Sequence, residues 1–123
     1  MPTLREKILG ESRVIAVVGL SPNPERDSYG VSKSLQAQGY RIIPVNPAAG
    51  VDEILGEKVY TDLKSIPFKV DLVDVFRRSE FVPPIVDETI EIGAKYLWLQ
   101  DGVEDIEGGE KAEAAGLTVI MDD

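Results

Sequence analysis

Arg13-Val14-Ile15-Ala16-Val17-Val18-Gly19-Leu20-Ser21-Pro22-Asn23-Pro24-Glu25-Arg26-Asp27-Ser28 is the stretch that decides the fold. After its arginine, the segment to Val18 is continuous, apolar and mostly β-branched. Such a run suits a strand covered on both faces, as in a parallel sheet. Gly19 to Asp27 is then dense in Gly, Ser, Pro and Asn, the composition of a loop. Ser28 reads as the N-cap of a helix from Tyr29 to Gln38, and Gly39 as its stop. Strand, glycine-led loop and helix in that order make half of a βαβ unit.

The same alternation runs outward along the chain. Upstream, Met1 to Glu11 reads as an amphipathic helix carrying both charge signs, without the apolar core of a signal peptide. Downstream, Arg41 to Val45 is a second strand, broken by Asn46-Pro47. Val51 to Leu55 reads as a helical turn, Lys58 to Tyr60 as a short strand, and Asp62 to Ile66 as a turn or short helix. Val70 to Phe76 is the third main strand. A helix follows from Phe81 to Ile92, with Pro83 and Pro84 in its first turn, where proline is tolerated. Tyr96 to Leu99 is a strand, Asp105 to Ala115 a helix ended by Gly116, and Leu117 to Met121 the last strand. Gly108-Gly109 inside that helix costs about 1 kcal/mol per glycine relative to alanine, and nothing local explains them. Strands alternating with helices imply right-handed crossovers and a doubly wound, mainly parallel sheet of five or six strands with helices on both faces.

Composition narrows the chemistry. The 123 residues amount to one domain. There is no cysteine and no histidine, which removes disulfides, thiolate metal sites and the commonest general base. With 22 acidic against 13 basic residues the formal net charge is −9, which disfavours a nucleic-acid partner. No apolar run approaches the ~20 residues of a membrane span. A cytoplasmic protein without membrane or nucleic-acid partners is expected.

In an open parallel sheet, ligands bind outside the carboxyl ends of the strands, near the point where strand order reverses. That rule selects the loops Gly19 to Ser28, Asn46 to Gly50, Phe76 to Phe81 and Gln100 to Asp105. In the first, Gly19 permits a tight turn and close approach, and the helix start offers amides to phosphate oxygens. Ser21 and Ser28 add hydroxyls and Arg26 a charge; the alternative is an ordinary strand-end turn. The loop is not GxGxxG, so a dinucleotide fingerprint is absent. In the second, Asn46 stands about where dehydrogenases carry an acid for the ribose, or it simply initiates a turn with Pro47. In the third, Arg77 and Arg78 match phosphate geometry, or they answer carboxylates such as Glu80. In the fourth, Gln100 and Gly102 are site candidates, whereas Trp98 and Leu99 belong to packing. Asp71 and Asp74, three apart in a strand, fall on opposite faces and make no acid–base pair; Asp74 either touches a ligand or bonds local amides. No nucleophile–base pair and no metal cluster stands out, so no catalytic or metal-ligating residue is assigned.

Several segments together carry a resemblance. Val17-Val18-Gly19-Leu20-Ser21-Pro22-Asn23-Pro24-Glu25-Arg26, with Ser28-Tyr29-Gly30-Val31, resembles the opening of the small stand-alone CoA-binding domain proteins. These are similar to the N-terminal CoA-binding domain of the succinyl-CoA synthetase α subunit. The match continues through Gly39-Tyr40-Arg41, Pro44-Val45-Asn46-Pro47, Leu55-Gly56-Glu57, Val70 to Arg77, Gly93-Ala94-Lys95, Trp98-Leu99-Gln100 with Gly102, and Ala115-Gly116-Leu117 with Met121-Asp122. The resemblance implies a Rossmann-like fold with coenzyme A or an acyl-CoA across the strand ends. It implies that Gly19, Leu20, Ser21 and the loop to Arg26, with Ser28 and Tyr29, hold the pyrophosphate region. Asn46 and Pro47 would border the adenosine, Phe76 and Arg77 would line the site beyond the third strand, and Gln100 and Gly102 would face the pantetheine.

Three departures stand against the family pattern. The family continues past Met-Asp with an Arg-Cys segment and a Glu-His pair, so contacts from such a tail are expected to be missing. Asp101 stands where a small or apolar residue is expected, and its charge opposes an anionic ligand. Gly108-Gly109 weakens a helix otherwise rich in alanine and glutamate. The reading is non-catalytic binding of coenzyme A, with possible homodimerisation through an edge strand near the C-terminus. Two alternatives stay open: an NAD-dependent oxidoreductase, and a scaffold that kept the fold without the ligand.

Overall fold

The computed structural model describes residues 1–121, so Asp122 lies outside the described residues. The helices are α1 (Leu4–Glu11), α2 (Asp27–Ala37), α3 (Val82–Glu91) and α4 (Ile106–Ala114). The strands are β1 (Val14–Val18), β2 (Arg41–Val45), β3 (Glu53–Ile54), β4 (Glu57–Lys58), β5 (Leu72–Val75), β6 (Tyr96–Leu99) and β7 (Thr118–Ile120). Five strands form one sheet in the order β2-β1-β5-β6-β7, with every pair parallel. The Rossmann-like α/β architecture expected from the alternation is the one found, with five strands in the main sheet.

Alternation along β1 shows how the sheet is covered. Ala16 and Val18 enter one apolar cluster, with Val82 and Val86 of α3 and Ala112 of α4. Ile15 and Val17 enter the other, with Ile8 of α1 and, at its margin, Tyr29 and Leu35 of α2. Both faces of β1 are therefore dry, which is why it reads as an unbroken apolar run. Leaving β1, the chain crosses over one face by α2 to β2. Leaving β5, it crosses the other face by α3 to β6. The direction of winding reverses between β1 and β5, and their carboxyl ends frame the crevice.

Local expectations fail where distant partners intervene. Val51 to Leu55 is not a helical turn. Leu55 and Gly56 take φ of 53° and 81° and close the antiparallel β3–β4 hairpin, a geometry suited to a two-residue type I′ turn. Gln36 of α2 secures that turn by donating its Nε2 to the Leu55 carbonyl at 2.8 Å. Of the strand expected over Lys58 to Tyr60, Tyr60 makes a single parallel bridge to Val45 at the β2 edge. The helix expected from Phe81 is preceded by a 3-10 turn, Ser79–Phe81. Gly108 and Gly109 acquire a reason in packing. A Cβ on Gly108 would lie 3.1 Å from Val86 Cγ2 of α3 and 2.2 Å from Asp105 Oδ2, and one on Gly109 would lie 2.5 Å from the Met121 terminal methyl. The two glycines let α4 settle onto α3 and the last strand.

Candidate functional site

One glycine lets the loops around the crevice close on each other at its base. Gly19 follows β1 directly at φ 90°, and a Cβ there would lie 2.5 Å from the Phe76 carbonyl oxygen. Its N–H donates to the Val45 carbonyl at 2.8 Å, and the Phe76 N–H donates to Val18 at 2.8 Å. The chains leaving β1, β2 and β5 are thus fastened together at one point, with backbone against backbone. A side chain at Gly19 would push the β5 loop away.

Beyond Gly19 the loop is ordered by its own side chains. Ser28 Oγ accepts the Ser21 N–H at 3.0 Å, Ser21 Oγ accepts the Asn23 N–H at 3.1 Å, and Asn23 Oδ1 accepts the Glu25 N–H at 3.0 Å. Ser28 is therefore not the N-cap of the following helix. The helix starts at Asp27 with Arg26 in the capping position and no side-chain cap bond. Ser28 lies in the first turn, buried, and its hydroxyl reaches seven residues back instead. Each serine oxygen accepts from the loop while its hydroxyl proton remains able to donate.

A cleft of about 490 Å³ opens at this helix start, lined by Gly19, Ser21, Glu25, Arg26, Asp27, Ser28 and Phe76. Its continuation runs along Pro24, Arg26, Gly30, Val31 and Phe76 to Gln100 and Asp101. The carboxylate of Asp101, exposed, stands on that wall. On the α3 side a second, more apolar hollow is lined by Val18, Val45, Pro47, Phe81, Ile85 and Arg77 among others. The Arg77 guanidinium lies over the Phe81 ring at 4.4 Å from its centroid. Arg78 instead pairs loosely with Glu80 at 3.9 Å on the surface. The twin arginines thus divide, one to the hollow and one to a nearby carboxylate.

Of the sequence-selected residues, Gly19, Ser21, Arg26, Ser28, Phe76, Arg77, Pro47 and Gln100 come together around the crevice. Leu20 is fully buried, and what it offers is its carbonyl, which accepts Asn46 Nδ2 at 3.0 Å. Asn46 also accepts the Ala48 N–H at 2.9 Å, so it ties the first two loops together. Tyr29 packs against the α1–α2 side of the core and is not a wall of the cleft. Gly102, at φ 81°, serves the turn after β6.

One pairing joins residues that are far apart in the sequence. Asp74, only 3 % exposed near the carboxyl end of β5, accepts Gln100 Nε2 at 2.5 Å. Burial pushes its carboxyl up to about 7, opposed by the Gln100 hydrogen bond. Asp71, by contrast, accepts the Arg13 and Val14 N–H groups at 2.9 and 3.0 Å and fastens the start of β1. Only the strand-end position of Asp74 hinted at a role; its partner lies 26 residues away.

Comparison with known proteins bears on what this crevice holds. The family model described as CoA binding domain matches residues 13–123. The chain belongs to that family. An uncharacterized protein of Bacillus subtilis, YneT, is 47% identical over 117 residues, covering 95% of this chain and 85% of its own. The α subunit of the ADP-forming acetate–CoA ligase I of Pyrococcus furiosus is 36% identical over 87 residues. That match takes in 68% of this chain but 19% of the subunit, so the likeness is to one part of a much larger enzyme. Among solved structures, a hypothetical protein from Pyrococcus horikoshii superposes with a TM-score of 0.89 at 39% identity, covering 94% of this chain and 80% of that one. The CoA-binding domain of this chain thus has both free-standing and enzyme-borne relatives. Among its described residues, no helix is long and apolar enough to cross a membrane.

Proposed function

We propose that this CoA-binding domain holds coenzyme A or an acyl-CoA across the carboxyl ends of its strands and carries out no reaction on it. The observation that supports this most is the start of α2. It has no side-chain cap, and it opens on a cleft that Gly19 also lines. Uncapped helix amides and the positive end of the helix dipole favour an anion, and Arg26 adds a full charge. The Ser21 and Ser28 hydroxyls complete a setting for the pyrophosphate. Pro47, Phe81 and Arg77 offer apolar and cationic surface to the adenosine end, while Phe76 and Gln100 line the way to the pantetheine arm. Asn46 acts by holding the Leu20 carbonyl. These groups recognise phosphate, ring and amide, which suits a carrier or sensor.

A thermal-shift comparison of coenzyme A, acetyl-CoA, ADP and NAD tests the reading. A ligand at about a hundred times its dissociation constant stabilises the fold by about 2.7 kcal/mol, several degrees for a domain of this size. Coenzyme A is expected to give that rise, ADP a smaller one and NAD none. A rise with NAD alone would favour the oxidoreductase. No rise with any of the four would leave a scaffold.

A further inference from the structure

The wall of the cleft at Gln100 has a polarity that the chain itself controls. The Gln100 side chain presents an NH2 group and a carbonyl. Its Nε2 donates to Asp74 at 2.5 Å, which leaves Oε1 as the half of the amide available to the cleft that Gln100 lines. An ionised carboxylate can only accept hydrogen bonds, so it demands the NH2 half. A protonated carboxyl can donate, and then the amide can sit the other way round.

We propose that Asp74 is a positioning residue that, through Gln100, sets this wall of the cleft as a hydrogen-bond acceptor for a ligand N–H. The ligand class is a chain bearing secondary amides, as the pantetheine arm does; in that respect the proposal rests on the coenzyme A reading. Asp74 does not touch the ligand. It acts only by fixing which end of Gln100 is presented.

The surroundings suit such a role. In register, Asp74 faces Val17 of β1 and Trp98 of β6. From α2, which covers this face, the buried groups are Ser28 and Ser32, with Tyr29 packed against the same cluster, and from α1 on the same face Arg5 lies 5.8 Å from the centroid of the Trp98 ring. Burial and the Gln100 amide are what bear on its ionisation, which falls near neutrality. The charged groups Glu25, Arg26, Asp27 and Asp101 stand on the cleft walls with Gln100. Protonation near neutral pH would release Gln100 to turn and present a donor to the ligand's own donor.

The test has two arms on the full chain, comparing wild type with Asp74→Asn and Gln100→Leu. In the first, the side-chain amide signal of Gln100 is followed by NMR without ligand from about pH 5.5 to 8.5, a span that brackets a neutral midpoint. It should shift with a midpoint near neutrality in the wild type and stay still in Asp74→Asn. In the second, coenzyme A affinity is measured calorimetrically at both ends of that range. The phosphates of the ligand titrate alike for all three proteins, so the readout is the excess change in the wild type. That excess should be about fivefold tighter binding at the high end, the worth of one hydrogen bond, and should vanish in both variants. A Gln100 signal that does not move, or an equal pH dependence in wild type and Asp74→Asn, would overturn the proposal. A moving signal with no coenzyme A binding by any of the proteins would overturn the coenzyme A reading, and the ligand half of this proposal with it.

Discussion

Two helices start at the same end of the sheet, and they start differently. At α4 the chain supplies its own cap: Asp105 Oδ1 accepts the Gly108 N–H at 3.0 Å, and Ser79 Oγ accepts the neighbouring Glu104 N–H at 2.8 Å, while Asp105 Oδ2 stays buried without a partner among the described residues. At α2 no side chain caps the helix, and the serine that could have done so turns to the loop instead. A closed helix start is a structural joint; an open one beside a cleft is a place for an anion from outside. The contrast extends to the carboxylates nearby. Asp105 is used where a helix dipole welcomes it, whereas burial pushes Asp74 up to about 7.

The comparison can be broken most forcefully at its hinge. Gly19→Ala places a Cβ 2.5 Å from a backbone oxygen at a left-handed φ. A loss of about 4–5 kcal/mol in urea unfolding is expected, at the upper end for a single substitution. A loss below about 1 kcal/mol would show that the β1 and β5 loops can separate freely.

Asp74→Asn is expected next. The folded pKa of Asp74 lies above its ordinary value, so the folded chain keeps a proton that the unfolded chain releases between about pH 4 and 7. Stability from this group is therefore complete below about pH 4 and lost as pH rises through about 7. Relative to the variant, the wild type should lose up to roughly 4 kcal/mol across that window, and the gap should be constant above it. Parallel stability curves for the two proteins would refute a raised Asp74.

Arg26→Asp puts a capping carboxylate where α2 now has none. The helix should gain up to about 1 kcal/mol, while coenzyme A binding weakens between about tenfold and a hundredfold as a cation becomes an anion at the phosphate end. Unchanged binding would move the pyrophosphate away from α2. Asp105→Ala should show the opposite pattern: about 1 kcal/mol lost in a melt and coenzyme A affinity unaltered. Weaker binding there would mean that the two helix starts are not separate in function.

The frame of the site was legible because it rests on local chemistry. The apolar run Val14 to Val18 announces a strand covered on both faces, and Gly19 and Gly39 mark turns that the φ values of 90° and 102° bear out. The site loops follow from strand polarity alone. What was missed depended on partners far along the chain. Ser28 reads as a cap because capping is a local rule, yet in the fold its hydroxyl oxygen accepts the Ser21 N–H instead. Val51 to Leu55 reads as helical because the anchor of its turn, Gln36, belongs to another element.

By itself, then, the sequence determined the order of the main-sheet strands and of the four long helices, the parallel winding, the loops that gather at the crevice, and a family likeness carried by whole segments. These are consequences of periodicity, turn chemistry and chain polarity, which need no knowledge of what lies opposite. Tertiary structure decided which candidates face the cleft and which pack behind it, why α4 carries two glycines, and that Asp74 meets Gln100. Hydrogen bonds and close approaches between distant residues depend on strand register and on distances set to a fraction of an ångström. Those exist only once the sheet has formed and its helices have closed over it.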